Sequence, residues 1–152
     1  MKGITSIAHV ALKVRNMERS LDFYIGKLGF AEMFRLQRDG RLNLVYLRIT
    51  DDQYLELFPN GADDRAPGRE ATGVNHFCLG VDDIDAVAAE LRAAGVTLTV
   101  EPKLGADHNY QAWIEDPDGN RIELMQMMPK AMQLAAIRSL EAGNHKVPVY
   151  EM

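Results

Sequence analysis

Cysteine is all but missing from this chain: one residue, Cys78, in 152. A single thiol excludes an internal disulfide and fits a reducing cytoplasm. Cys78 alternates with His76 on a strand-like run, so it reads as a small buried hydrophobe rather than a nucleophile. A positive charge excess is also lacking. The formal charge is −5, which argues against nucleic acid or an anionic membrane as partner, because phosphate binding needs a basic surface. No run approaches the ~20 apolar residues of a membrane span, and the N-terminus has no basic-then-apolar signal segment.

What remains is the balance of a soluble globular protein, 47% apolar and 26% charged. The length allows one domain of ordinary size or two very small modules sharing a core.

The informative feature is a repeat. His9 and Glu56 are 47 positions apart, His76 and Glu123 are also 47 apart, and one shift of 67 residues relates the two pairs. The first copy opens with a strand over Ile4–Val14, in which Ile7, His9, Ala11 and Lys13 share one face. Asn16 is placed to cap a helix over Met17–Leu28, which Gly29 ends. Strands are expected at Ala31–Gln37, Arg41–Ile49 and Gln53–Phe58, with Asp39-Gly40 as a tight hairpin turn. Pro59–Thr72, rich in Gly, Pro and charge, is the linker.

The second copy has a strand over Val74–Val81, then a helix over Ile84–Ala94 capped by Asp82 or Asp83 and ended by Gly95. Strands follow at Thr97–Pro102, Tyr110–Glu115 and Arg121–Met127, the last two joined by the strong turn Asp116-Pro117-Asp118-Gly119. The same shift sets Leu12 on Leu79, Val14 on Val81, Met17 on Ile84, Tyr46 on Trp113 and Leu57 on Leu124. The expected fold class is therefore α+β, two tandem βαβββ modules (about 4–59 and 74–128) forming a single domain over 1–128. Residues 129–152 form a C-terminal extension with one amphipathic helix over about Lys130–Ala142, placed to cover a sheet edge or to dock on a partner subunit. The tail from Gly143 has no clear pattern.

Two histidines and two glutamates at matched positions of paired modules can converge about a pseudo-twofold axis. Imidazole nitrogen with carboxylate oxygen suits Ni, Co, Zn, Fe or Mn. Glu56 and Glu123 lie mid-strand between apolar neighbours, and a carboxylate on the inner face of a sheet is costly unless paired or metal-bound. A lone strand histidine is more often structural, and a lone mid-strand glutamate more often faces solvent. Equal spacing in both halves favours the metal reading for His9, Glu56, His76 and Glu123. His108 and His145 have no repeat partner and are read as non-ligands.

Ile7-Ala-His9-Val, Leu21-Asp-Phe-Tyr24 followed by Leu28-Gly-Phe30, Leu55-Glu56-Leu, Asn75-His76-Phe, and Glu115-Asp-Pro-Asp-Gly-Asn-Arg-Ile-Glu123-Leu together resemble the vicinal-oxygen-chelate superfamily over about Ile4 to Met127. Its members include glyoxalase I, methylmalonyl-CoA epimerase, extradiol dioxygenases, fosfomycin-resistance proteins and bleomycin-binding proteins. The order His, Glu, His, Glu is similar to the four-ligand set of glyoxalase I (lactoylglutathione lyase). That resemblance implies one divalent metal per site, Ni or Co first, Zn next, Fe or Mn for a dioxygenase-like member. It implies a metal-stabilised enediolate formed from a thiohemiacetal of methylglyoxal or a related small molecule, with Glu123 moving the proton and Glu56 as its partner. Lys13 and Asn60 match positions that contact a thiol such as glutathione. Lysine there departs from the family's arginine and is equally read as a strand-end lysine, and Asn60 is equally read as a turn residue.

Phe34, Tyr46, Phe58, Trp113, Met125 and Met127 are candidates for the wall of a water-excluding pocket, though core packing accounts for each singly. The stretch Lys103–Gln111 departs from the family's glutathione loop, since Lys103 is its only fixed cation. The resemblance further implies a homodimer. The alternatives are a dioxygenase or other metalloenzyme of the superfamily, or a non-catalytic small-molecule-binding (resistance) protein.

Overall fold

The computed structural model describes residues 3–144 and 148–149; His145 and most of the tail after Gly143 lie outside the described residues. Two compact units partition the chain: Met1–Phe77 with Glu115–Arg121, and Cys78–Ile114 with Ile122–Met152. The turn between the last two strands belongs to the first unit.

In the first unit, β1 (His9–Lys13) is followed by α1 (Met17–Leu21), β2 (Ala31–Arg38), β3 (Arg41–Arg48) and β4 (Tyr54–Phe58). The strand order is β1-β4-β3-β2, with β1 parallel to β4 and the other pairs antiparallel. A parallel pair needs a long crossover and antiparallel pairs need only turns, which is why a helix follows β1 and hairpin turns follow β2 and β3. Asp39 and Gly40 both take positive φ, 51° and 72°, as a two-residue hairpin turn requires. The residues of one strand parity, Val45, Leu47, Leu55 and Leu57, are fully buried, and they form the core with Val14, Phe23 and Tyr24.

The second unit contains most of β5 (Phe77–Gly80), then α2 (Ile84–Ala93), β6 (Leu98–Leu104), β7 (Tyr110–Glu115), β8 (Arg121–Gln126) and α3 (Met132–Glu141). Its sheet order, β5-β8-β7-β6, repeats that of the first. Asp83 is the α2 cap, its carboxylate accepting the amides of Asp85 and Ala86. Buried Ala112, Ile114, Ile122 and Leu124 stand 67 positions after Val45, Leu47, Leu55 and Leu57. The backbone repeats too: Val14 N–H donates to Phe58 O at 2.8 Å, and Val81 N–H to Met125 O at 2.9 Å. The fold is α+β, built of two βαβββ repeats and a C-terminal helix.

The first helix differs from the expected Met17–Leu28 α-helix. Capped by Asn16 as expected, it turns after Leu21 into a π-helical segment over Asp22–Lys27, and Leu28 N–H reaches back five residues to Phe23 O. A π turn accommodates one inserted residue. The sequence carries the trace: Gly29 precedes Gly95 by 66 positions, one short of the repeat. The extra residue buries Phe23 and Tyr24 side by side, ring centroids 5.1 Å apart and edge to face. Strands β1 and β5 are shorter than expected, and α3 starts two residues later. No helix among the described residues is long and apolar enough to cross a membrane.

Candidate metal centre

Glu56 sits at the middle of β4, opposite Ala11 of β1 and Tyr46 of β3. Its apolar neighbours Leu55 and Leu57 take the core parity, so its carboxylate takes the other face, yet Glu56 is only 6% exposed. Hydrogen bonding with Glu56 first, then burial and the carboxylate's charge, raise the Tyr46 pKa from its ordinary value of 10.0. The Tyr46 ring stacks on Phe34 with centroids 4.5 Å apart. His9, two residues before Ala11 on the same face, brings Nε2 to 3.7 Å from Glu56 Oε2. Two ligands about 2.1 Å from one ion lie roughly 3–3.5 Å apart. The His9–Glu56 pair is a few tenths of an ångström wider, so its nitrogen and oxygen donors fit a divalent metal after a small closure.

His76, just before β5, has Nδ1 at 3.1 Å from Asn75 Oδ1. Asn75 is itself held by Arg121 and by its own donation to Arg69 O at 2.8 Å. A partner on Nδ1 that accepts a hydrogen bond sets the proton there and the lone pair on Nε2, the usual arrangement of a metal-ligating imidazole. Glu123, in β8, repeats the setting of Glu56 between the buried Ile122 and Leu124. The Cys78 thiol donates to Leu79 O at 4.0 Å. Burial of the sulfur, and then the carboxylates of Glu123 and Asp107, push this thiol up to about 12.

Cys78 is exposed as a residue, which corrects its expected place in the core. It shares the parity of His76. Of the four expected ligands, the structure brings His9 and Glu56 together. No group of three or more His, Cys, Asp or Glu side chains arranged to hold a metal occurs among the described residues.

The expected pocket-wall residues lie outside the core: Phe34 and Met127 are 45% and 44% exposed, and Tyr46, Phe58, Trp113 and Met125 are half-buried. Trp113 donates its indole N–H to Gln111 Oε1 at 2.9 Å.

Lys13, at the end of β1, lines a cavity of about 240 Å³ with Arg15, Asp63, Arg65, Asp118 and the backbone around Gly61. The linker forms one wall because it is pinned at three points. Gly61 N–H donates to Val14 O at 2.9 Å and Ala66 N–H to Asp118 O at 2.8 Å, while Arg65 pairs with Glu115 at 2.6 Å. Arg15 is bound to Asp64, whereas Lys13 has no ion-pair partner among the described residues. Asn60 is exposed, with φ 67°, and is not among the residues lining this cavity.

The stretch Lys103–Gln111 has a structural task that its sequence did not disclose. Asp107 accepts from Asn109 Nδ2 at 2.8 Å and from Gln133 Nε2 at 2.6 Å, and fully buried Asn109 accepts Met128 N–H at 3.0 Å. Asp107 O also takes Met132 N–H at 2.9 Å. The polar groups of this loop thus seat the first turn of α3. His108, forced to φ 66°, edges an apolar cavity of about 430 Å³ with Leu104, Met128, Pro129 and Lys130. Sequence reasoning missed this clamp because its partners, Asp107, Asn109 and Gln133, carry no repeat signal.

Comparison with known proteins identifies the family. Residues 6–124 match the family model described as Glyoxalase/Bleomycin resistance protein/Dioxygenase superfamily. A lactoylglutathione lyase from Haemophilus influenzae is 32% identical over 126 residues, 79% of this chain and 91% of that protein. A catechol-2,3-dioxygenase from Bacillus subtilis is 30% identical over 132 residues, 84% of this chain but 43% of that protein. The crystal structure of a glyoxalase family protein from Enterococcus faecalis superposes with TM-score 0.70 at 27% identity, covering 79% of this chain and 96% of that one. The chain belongs to the glyoxalase, bleomycin-resistance and dioxygenase superfamily, the vicinal-oxygen-chelate group.

Proposed function

We propose that this protein is a glyoxalase-I-like lyase or isomerase acting on the thiohemiacetal of methylglyoxal and a thiol. The observation that carries the reading is Glu56: a carboxylate nearly closed off on a sheet face, with the His9 imidazole 3.7 Å away and a matched His–Glu pair, His76 and Glu123, 67 residues on. A buried carboxylate beside an imidazole is explained by a cation held between the two donors.

His9, Glu56, His76 and Glu123 would hold one divalent ion, Ni or Co first and Zn next. When bound, the ion acts as a Lewis acid that draws off the negative charge developing on adjacent substrate oxygens. The proton work belongs to the chain: Glu123 takes a proton from one carbon and returns it to the neighbouring carbon, with Glu56 as its partner. Lys13, with no ion-pair partner among the described residues, and Asn60 would bind a thiol such as glutathione. Trp113, Phe34, Tyr46, Phe58, Met125 and Met127 would exclude water. We assign the active form as a cytoplasmic homodimer, with the four ligands drawn from one chain or shared between two.

The test is metal-stripped protein reloaded separately with Ni, Co, Zn, Mn and Fe(II), following thioester formation from methylglyoxal and glutathione, with Glu123→Gln as control. Turnover that needs metal and disappears in the variant is the expected result; tight metal binding without turnover would sink the substrate. The resemblance to a catechol-2,3-dioxygenase favours one second reading. It predicts Fe(II)-dependent oxygen uptake with catechols, which a glyoxalase does not show.

A further inference from the structure

The second copy of the repeat carries a contact that the first is not built to make. Asn75, the residue before His76, stands 67 positions after Ala8, and Arg121 stands 67 after Tyr54. Ala8 has no side-chain group to offer His9, and the Tyr54 hydroxyl donates to Asp51 O at 2.6 Å. In the second copy Arg121 donates to Asn75 Oδ1, and Asn75 Nδ2 donates to Arg69 O at 2.8 Å. His76 Nδ1 lies 3.1 Å from the same Oδ1. All four residues belong to the first compact unit.

These partners leave the Asn75 amide one orientation. A guanidinium only donates and a backbone carbonyl only accepts, so the amide oxygen faces Arg121 and the NH2 faces Arg69 O. An oxygen fixed in this way can only accept from His76. The imidazole proton is therefore on Nδ1 and the lone pair on Nε2. Asn75 is exposed, and a single exposed hydrogen bond gains little over water. Two anchors, one at the start of β8 and one in the linker, hold the amide against rotation.

We infer that Arg121, acting through Asn75, is a positioning residue that locks His76 in the Nδ1–H tautomer and leaves Nε2 as its donor atom. The tautomer rests on these contacts alone; its use in holding a metal rests on the proposed glyoxalase-type site. A ring already in the ligating form loses less on binding than one that must first change tautomer and orientation.

Three measurements decide it. The first is nitrogen-15 NMR of the imidazole rings in metal-free protein at about pH 9, above the titration of a free imidazole. His76 should carry its proton on Nδ1, and the Nε2–H form should appear in Asn75→Ala and in Arg121→Met. Asn75→Asp, which keeps an oxygen for both donors, should retain the Nδ1–H form. In chelator competition, Asn75→Ala and Arg121→Met should each weaken cobalt affinity about tenfold or more, the usual effect of removing a group that orients a ligand. Asn75→Asp should lose far less. Combining Arg121→Met with Asn75→Ala should add nothing to the loss, because both break one path. A wild-type His76 with its proton on Nε2, a tautomer unmoved by Asn75→Ala, or additive losses of affinity overturn the assignment. Tautomers that shift as expected in a protein that binds no cobalt refute the metal site and uphold the orientation. Cobalt affinity unchanged in both variants refutes the positioning role.

Discussion

The phenol of Tyr24 donates to Asp116 Oδ2 at 2.7 Å, joining residues 92 positions apart inside the first unit. Asp116 is buried and also accepts the amides of Asp118 and Asn120 and the Asn120 side chain, at 2.9, 2.7 and 2.8 Å. The π turn delivers Tyr24 to this carboxylate. The second repeat, without the inserted residue, has a plain buried leucine, Leu91, at the matched position.

Tyr24→Phe therefore removes one donor from a buried carboxylate that keeps three others. The loss should be about 1–3 kcal/mol at neutral pH, read from urea denaturation. Burial first, and then the Asp116 charge, hold the Tyr24 pKa well above 10.0. The native state keeps this proton longer than the unfolded chain, so the contribution is full below pH 10 and falls as pH rises through the folded value. The wild type should lose stability above pH 10 more steeply than Tyr24→Phe; parallel curves would show that Tyr24 is not the group responsible.

Gly61→Ala should open the linker. A Cβ there would lie 3.2 Å from the Val14 carbonyl carbon and 3.3 Å from Arg15 N, both backbone atoms with little room to yield. A cost of about 1–3 kcal/mol is expected for such crowding, together with faster proteolysis between Gly61 and Ala66. Unchanged melting and proteolysis would mean that the linker is not held against the end of β1.

Asp107 links loop and helix. Burial raises its pKa, but the hydrogen bonds from Gln133 and Asn109 outweigh that and leave it below 3.8. Its stabilising share is thus present above pH 3.8 and lost as pH falls through the lower folded value. Hydrogen exchange of the α3 amides should accelerate in Asp107→Ala at neutral pH, while α2 stays protected. If α2 and α3 accelerate together, the clamp is not local.

Cys78 should be sluggish despite its exposure. With its pKa pushed up to about 12, its thiolate fraction at pH 8 is about three orders of magnitude below that of an ordinary cysteine. Alkylation of metal-free native protein should be slower than that of the denatured chain by a comparable factor. Glu123→Gln should recover part of the rate by removing the negative neighbour, and equal rates in native and denatured protein would refute the raised thiol pKa.

Much of this molecule is legible in one dimension. The 67-residue repeat, the alternation Leu55-Glu56-Leu57 and Ile122-Glu123-Leu124, the caps Asn16 and Asp83 and the turn Asp39-Gly40 are local features, because side-chain alternation, helix capping and hairpin geometry depend on neighbours a few positions apart. They determine two βαβββ copies and the face each carboxylate takes. Only the tertiary structure decided that Tyr24 would find Asp116, and that Asp107, Asn109 and Gln133 would seat α3. Those pairings join residues up to 92 positions apart, and hydrogen bonds between distant strands and loops leave no period in the sequence. Their partners are set by register and by the extra residue of the π turn.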